Sequence, residues 1–430
     1  MPHAQVSPGT TLYYEIKPCT QNPTLPETPW LLIVHPLYQD ISCITHLSED
    51  PVLRANFNVI LFDDRYHGRS ESSPSACFDC YTQAADLAMG MELLKIPNAH
   101  CMSTHPWATE VLLRMGFVFK EKVTSLCLCS LPSDQEDDFN KKAFAECFNH
   151  WTDPETPDDW HEAVASTVWY HFGSELEYDV DILDEYAGIF LRRYPPSNSV
   201  GQLMGTMPYS MRDVIPAKAQ TSVTQPILIL QGGADKVYTR STLGVSSRLD
   251  GILQVSSKNE LRTIPNAPLM LCRTHSVEVR NQFMQWIQPI LSEQGRHSST
   301  RLDLEVCLQR LASLSDDISI TKRDPHVSDS YHLAGSEKIK DVSALLQKFE
   351  HLQKTKFSFI GGGAPETWSD ASFEDIHPWR FSSRYDYARM FGSSEGVRSR
   401  TNSAVTLEES IEVVVMDSAS EENFTESLKT

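Results

Sequence analysis

WLLIVHP at 30–36 and FNVILFDD at 57–64 are short, unbroken apolar runs. A strand with one wet face alternates apolar and polar residues, whereas a strand buried on both faces does not. Both runs therefore read as buried strands of a parallel sheet. Working outward, TLYYEI at 11–16 reads as a first strand. AHCMS at 99–103, VTSLCLCSLP at 123–132 and QPILILQGG at 225–233 continue the series, and ELRTIP at 260–265 is a weak last strand. Helical spacing of apolar positions separates them at 81–96 and in TEVLLRMGFVF at 109–119, and SVEVRNQFMQWIQPIL follows at 276–291. Strands alternating with helices predict an α/β fold: a doubly wound, mostly parallel sheet of about eight strands over residues 10–290.

The alternation stops between about 135 and 222. FNKKAFAECFNHW, DDWHEAVASTVWYHF and DVDILDEYAGIFLRRY are helical patterns with acidic connections. They predict a helical cap inserted over the strand ends. Beyond the last helix, SEQGRHSSTR at 292–301 reads as a linker. Residues 291–390 form a C-terminal extension with helical patterns at 302–314 and 336–353. From 391 to 430 the chain is rich in Ser, Thr and Glu, a composition expected to be disordered. No internal repeat is found.

The chain has 430 residues and a net charge of −20. That balance argues against nucleic acid, which demands clustered Lys and Arg, and against anionic membranes. The opening MPHAQVSPGTTLYYEIKP lacks a basic segment followed by a long apolar run, so no secretory signal is expected. Apolar stretches such as LLIV fall far short of a membrane span. A cytoplasmic location follows as the expectation. Cys101, Cys127 and Cys129 sit in apolar strand-like runs, where cysteine acts as a small buried hydrophobe. Cys77 and Cys80 form a lone CxxC without a second ligand pair, and His67 is not convincingly placed to complete one. No metal or cofactor is expected.

FDDRYHGRS at 62–70 resembles the D-x-R-G-x-G-x-S turn of the α/β-hydrolase family. Asp63, Arg65, Gly68 and Ser70 match, and Tyr66 replaces a glycine. HPLYQD at 35–40 is similar to the His-Gly segment before that family's oxyanion loop, with Pro36 in place of the glycine. KVTSLCLCSLP resembles the strand after the nucleophile helix. QPILILQGGADKVY resembles the P-x-L-x-x-x-G-x-x-D segment, with Asp235 in the acid position, and VEVRNQFMQWI fits the final helix. The resemblance covers about residues 10–290.

That resemblance implies a nucleophile elbow, G-x-S-x-G, where a strand turns sharply into a helix. Registering LKIPNAHCM on one side and KVTSLCL on the other puts Ser103-Thr104-His105-Pro106-Trp107 on the motif. His105 then stands in the nucleophile position and both glycines are gone. Pro106 has no N–H to give an oxyanion. A residue before proline is pushed toward extended geometry, so a rebuilt turn is expected. The family's histidine falls in a segment that here reads RTIPNAPLM, with Leu269 in its place, and leucine relays no proton. His275, six residues on, is the nearest histidine and would need a loop shift to act as base. Asp235 keeps its identity, to orient a histidine or to satisfy turn amides. Ser103 is the fallback nucleophile, and His105 could itself act covalently.

Two readings follow. In one, the fold persists as a ligand-binding or interaction module, with a small molecule held between core and cap. In the other, the chain is a cofactor-free hydrolase of an ester or carbon–carbon bond that uses displaced residues, Ser103 or His105 with Asp235. In the tail, RSRTNS at 398–403 is a pattern that basophilic kinases accept. SIEVVVMDSASEE at 410–422 resembles a SUMO-interaction motif, whose strand adds to a partner's sheet edge. The tail thus offers either a site for a protein partner or, on the plainer reading, a solvated loop and a strand docked on the chain's own domain.

Overall fold

The computed structural model describes residues 2–21, 28–136, 138–173, 180–242, 244–293 and 301–356. Nine strands form one sheet: β1 (His3–Ser7), β2 (Thr10–Lys17), β3 (Trp30–Val34), β4 (Asn58–Phe62), β5 (Glu71–Ser72), β6 (Ala99–Ser103), β7 (Val123–Cys129), β8 (Ile227–Gly232) and β9 (Glu260–Ile264). Their order across the sheet is β1-β2-β4-β3-β6-β7-β8-β9, with the short β5 beside β2. From β4 through β9 every pairing is parallel. β2 runs antiparallel to β1, β4 and β5.

The unbroken apolar runs have a simple cause. Successive side chains point to opposite faces, and each face carries its own core. Leu32 and Val34 of β3 and Leu126 and Leu128 of β7 pack with helices Cys80–Leu93 and Pro106–Val118 on one side. Leu31, Ile33, Cys127 and Cys129 pack on the other side with helix Ser276–Glu293.

The seven long strand runs and the helices at 80–93, 106–118 and 276–293 lie where the sequence places them, within a few residues. The sheet starts earlier than residue 10, because β1 pairs with β2 ahead of it. Between β7 and β8 the chain forms helices Asp138–Thr152, Pro157–Phe172, Val180–Arg193 and Ser199–Ser210. The last of these, SVGQLMGTMPYS, escapes sequence reading: two glycines and Pro208 give it poor intrinsic propensity, and near-complete burial sustains it instead. Helices Leu304–Ser315 and Ser336–Thr355 lie in the extension. Leu302, Cys307, Leu308, Leu311, Ile320 and Tyr331 of that extension join the core on one face of the sheet. The 391–430 tail and its two motifs lie outside the described residues. All ten cysteines are free, Cys77 and Cys80 included. No described helix is long and apolar enough to cross a membrane.

Candidate functional site at the end of β6

The turn after β6 takes its form from Pro106. Proline at the first helical position loses nothing, because its missing N–H would be unpaired there anyway. His105 is the N-cap of helix Pro106–Val118, with φ −159° and ψ 154°. This is ordinary extended backbone, as a residue before proline prefers. No residue from 103 to 107 has a positive φ. The turn is rebuilt without strain, as expected from the sequence. Trp107 is fully buried. Its indole leaves the turn and lies against His67 and His35, at ring separations of 5.1 and 5.8 Å.

His105 Nδ1 accepts the Trp107 N–H at 3.2 Å. Its Nε2 lies 3.0 Å from Nε2 of His171, on the last turn of helix Pro157–Phe172. His171 Nδ1 lies 2.6 Å from the Thr167 carbonyl, so it must carry a proton. The network then assigns both tautomers. His171 donates from Nδ1 and accepts at Nε2, and His105 donates from Nε2 and accepts at Nδ1. Both rings are buried. Burial pushes His171 down to about 4. Burial and the neighbouring His171 hold His105 well below the usual imidazole range. The pair is neutral, with every ring nitrogen engaged.

Ser103 closes β6 and is fully buried. Its oxygen accepts the Cys129 N–H at 2.8 Å and lies 2.7 Å from the Thr109 hydroxyl, which reaches the Cys129 carbonyl at 3.2 Å. Ser103 donates to Thr109, Thr109 to Cys129, and Cys129 back to Ser103, a closed ring tying β6, β7 and the helix between them. Thr104 donates to the Val34 carbonyl at 2.6 Å.

Asp235 accepts from the Val237 and Tyr238 amides at 2.8 and 3.1 Å, and from Gln231 Nε2 at 3.0 Å. Burial raises its pKa against the pull of those donors. None of the three partners is an imidazole. Gly232 brings the next loop close: a Cβ there would stand 2.4 Å from the Ala267 carbonyl oxygen. On that loop Leu269 is buried, and its carbonyl accepts from Ser130. His275 stands between helices, bonded at 2.8 Å to the Thr274 hydroxyl. Ser103, His105, Asp235 and His275 thus each serve a different local network.

The sequence reading missed several neighbours. The phenol oxygens of Tyr170 and Tyr209 both meet that of Tyr238, at 2.9 and 2.5 Å, and Tyr238 bonds Glu136 at 2.7 Å. Arg212 binds the same Glu136 oxygen at 2.7 Å. Tyr170 and Tyr209 edge the His105 ring at 6.5 and 6.3 Å. Tyr170, His171 and Tyr209 come from the inserted helices, and no local motif marks them. Among the described residues, no group of three or more His, Cys, Asp or Glu is placed to hold a metal ion.

Several solved structures share this architecture. An enol-lactonase from Burkholderia xenovorans LB400 is similar at 16% identity and a TM-score of 0.53, over 66% of this chain and 99% of its own. A carboxylesterase of Nitrososphaera gargenis is similar at 15% identity and 0.54, over 68% and 99%. A bromoperoxidase from Bacillus anthracis is similar at 15% identity and 0.53, over 67% and 100%. No family model and no curated protein sequence matches the chain. The chain has the α/β-hydrolase fold, and at such identities the likeness speaks for the fold alone.

Proposed function

We propose that this chain uses the α/β-hydrolase fold as a ligand-binding or interaction module and lacks Ser-His-Asp hydrolysis. One observation carries the reading: the imidazole in the nucleophile position has both nitrogens occupied, one by the Trp107 amide and one by His171. A nucleophile needs a free lone pair, and a hydroxyl nucleophile needs a base beside it. Ser103 has no base beside it: its proton goes to the Thr109 hydroxyl, and its oxygen accepts the Cys129 amide. Pro106 offers no N–H to an oxyanion, and loss of one such donor costs about 2.7–4 kcal/mol of transition-state stabilisation. Leu269 stands in the family's base position, and Asp235 has backbone amides where the family has an imidazole.

The ligand half of the reading has separate support. His67 Nδ1 donates to the Arg65 carbonyl at 2.7 Å, which leaves Nε2 as an acceptor. Among the described residues, that nitrogen and the Trp107 indole N–H are both buried without a hydrogen-bond partner, on rings 5.1 Å apart. Orphaned buried polar atoms of opposite sense favour a small polar occupant between the core and the inserted helices, which then act as a cap. A protein partner for the 391–430 tail belongs to the same reading, on the strength of SIEVVVMDSASEE.

The test is chemical. Wild-type protein should remain unlabelled by a fluorophosphonate probe and should turn over p-nitrophenyl acetate no faster than buffer, with Ser103→Ala indistinguishable. Robust turnover abolished by Ser103→Ala would overturn the reading and make Ser103 the nucleophile. Turnover that survives Ser103→Ala but disappears in His105→Ala would assign the chemistry to histidine.

A further inference from the structure

We propose that residues 302–356 are a strap that holds the inserted helices down over the end of β6. The segment grips both sides of that junction. On the core side, Arg310 binds the Glu121 carboxylate and donates to the Val118 carbonyl at 3.0 Å, at the far end of the helix that starts at Pro106. Tyr331 packs on Phe119 at 5.0 Å between rings. Asp329 accepts from Ser7 and from Arg65, the latter at 2.6 Å, and the Leu333 amide donates to Asp79 at 2.8 Å. The buried guanidinium of Arg65 thereby sits between two carboxylates, Asp86 of the core and Asp329 of the strap.

On the other side, Val342, Leu346 and Phe349 form one face of helix Ser336–Thr355 at spacings of four and three residues. That face packs on Val200, Leu203, Met204 and Met207 of helix Ser199–Ser210, together with Tyr66 and Phe78 of the core. Phe349 also meets Phe148 of helix Asp138–Thr152 edge to face, at 5.6 Å. Polar ties lock both ends. Lys338 donates to the Met211 carbonyl at 2.6 Å, the Val200 amide donates to Gln353 at 2.6 Å, and Lys356 pairs with Asp153 at 2.5 Å.

Helix Ser199–Ser210, with Gly201, Gly205 and Pro208, holds its form through packing rather than propensity. Helix Asp138–Thr152 packs against both this helix and helix Pro157–Phe172, which carries His171, the partner of His105. Freeing helix Ser336–Thr355 removes the apolar cover from one side of this layer. Release of that helix is therefore the motion that uncovers the His105–His171 contact, whether or not the site below is catalytic.

Hydrogen exchange on the full chain tests this. Phe349→Asp, which puts a charge in the strap's apolar contact, should speed amide exchange in 199–210 and 157–172 by about tenfold or more. Strands β6, β7 and β8 should keep their wild-type rates. A second form, folded first and then cut at a protease site inserted after Gly335, reads the same quantity without depending on folding of a variant. Three results would overturn the proposal. Helix 336–355 could open while 157–210 keeps its wild-type rates. It could stay protected after both changes, so that its apolar face is not what holds it. Or protection could vanish from the strands as well, making the segment an inseparable part of the core.

Discussion

The turn at 62–70 and the turn at 103–107 follow β4 and β6, the two strands that flank β3, yet they are built differently. In the first, Asp63 accepts the Ile41 and Arg69 amides at 2.9 and 2.8 Å, and Ser70 bonds the Asp63 carbonyl and accepts from the Tyr13 amide. Tyr66 stands at φ 63°, in the left-handed conformation that a glycine would adopt freely. Its hydroxyl bonds the Ser73 carbonyl and its own carbonyl accepts from Tyr194, which hold it there. In the second turn His105, ahead of Pro106, has ordinary extended geometry. The residues of the first turn form a group that satisfies backbone groups, and removing one would strand a buried amide or carbonyl. In the second turn Ser103 and His105 close hydrogen bonds with other side chains and with the Cys129 and Trp107 amides. Asp235 belongs with the first group: it caps a turn.

The contrast is sharpest at Gly68. It has φ +48°, and a Cβ there would fall 2.2 Å from the Asp63 carboxylate. Gly68→Ala must displace a short, buried side chain and strain the backbone, so a loss of about 3–5 kcal/mol in denaturant unfolding is expected. A loss under about 1 kcal/mol would mean that the 62–70 turn is as adaptable as the one at 103–107.

Next comes the pH response of the His105–His171 pair. Burial pushes His171 from its ordinary 6.5 down to about 4. Between those values the unfolded chain binds a proton that the folded chain refuses. The stability contribution is therefore fully present above pH 6.5 and is lost as pH falls toward 4. The difference of about 2.5 units corresponds to roughly 3 kcal/mol. Buried Asp64, raised by its burial to about 6, runs the opposite way, so the measurement is a difference. The stability of wild type minus that of His171→Asn should fall on acidification from pH 7 to 4. A flat difference would show that the imidazole is not held neutral.

The smallest effect is expected at His275. Its ring hydrogen-bonds the adjacent Thr274 hydroxyl, so His275→Ala should change stability by about 0.5 kcal/mol or less. A larger loss would place it inside a network and bring it back toward the site.

Much of the fold was legible because burial on both sheet faces leaves a plain mark, the unbroken runs WLLIV and NVILF. Gly68 and Asp63 could be read because a tight turn admits few residues. The extended backbone at His105 was legible too, since Pro106 dictates the geometry of the residue before it. The partners were not. His171, Tyr170 and Tyr209 lie 66, 65 and 104 positions beyond His105, on helices whose local pattern records only which side is apolar. The extension looked like a linker followed by loose helices, because Asp329 and the Val342–Leu346–Phe349 face acquire meaning only against Arg65 and helix Ser199–Ser210. The sequence by itself determined the sheet, its tight turns and the extended backbone at His105, since these follow from short-range sterics and periodicity. Only the tertiary structure decided that His105 pairs with His171, that Ser103 is locked in a ring, and that the C-terminal helix lies across the inserted ones. Each of those facts depends on a contact between segments far apart in the chain, where local sequence carries no record of the partner.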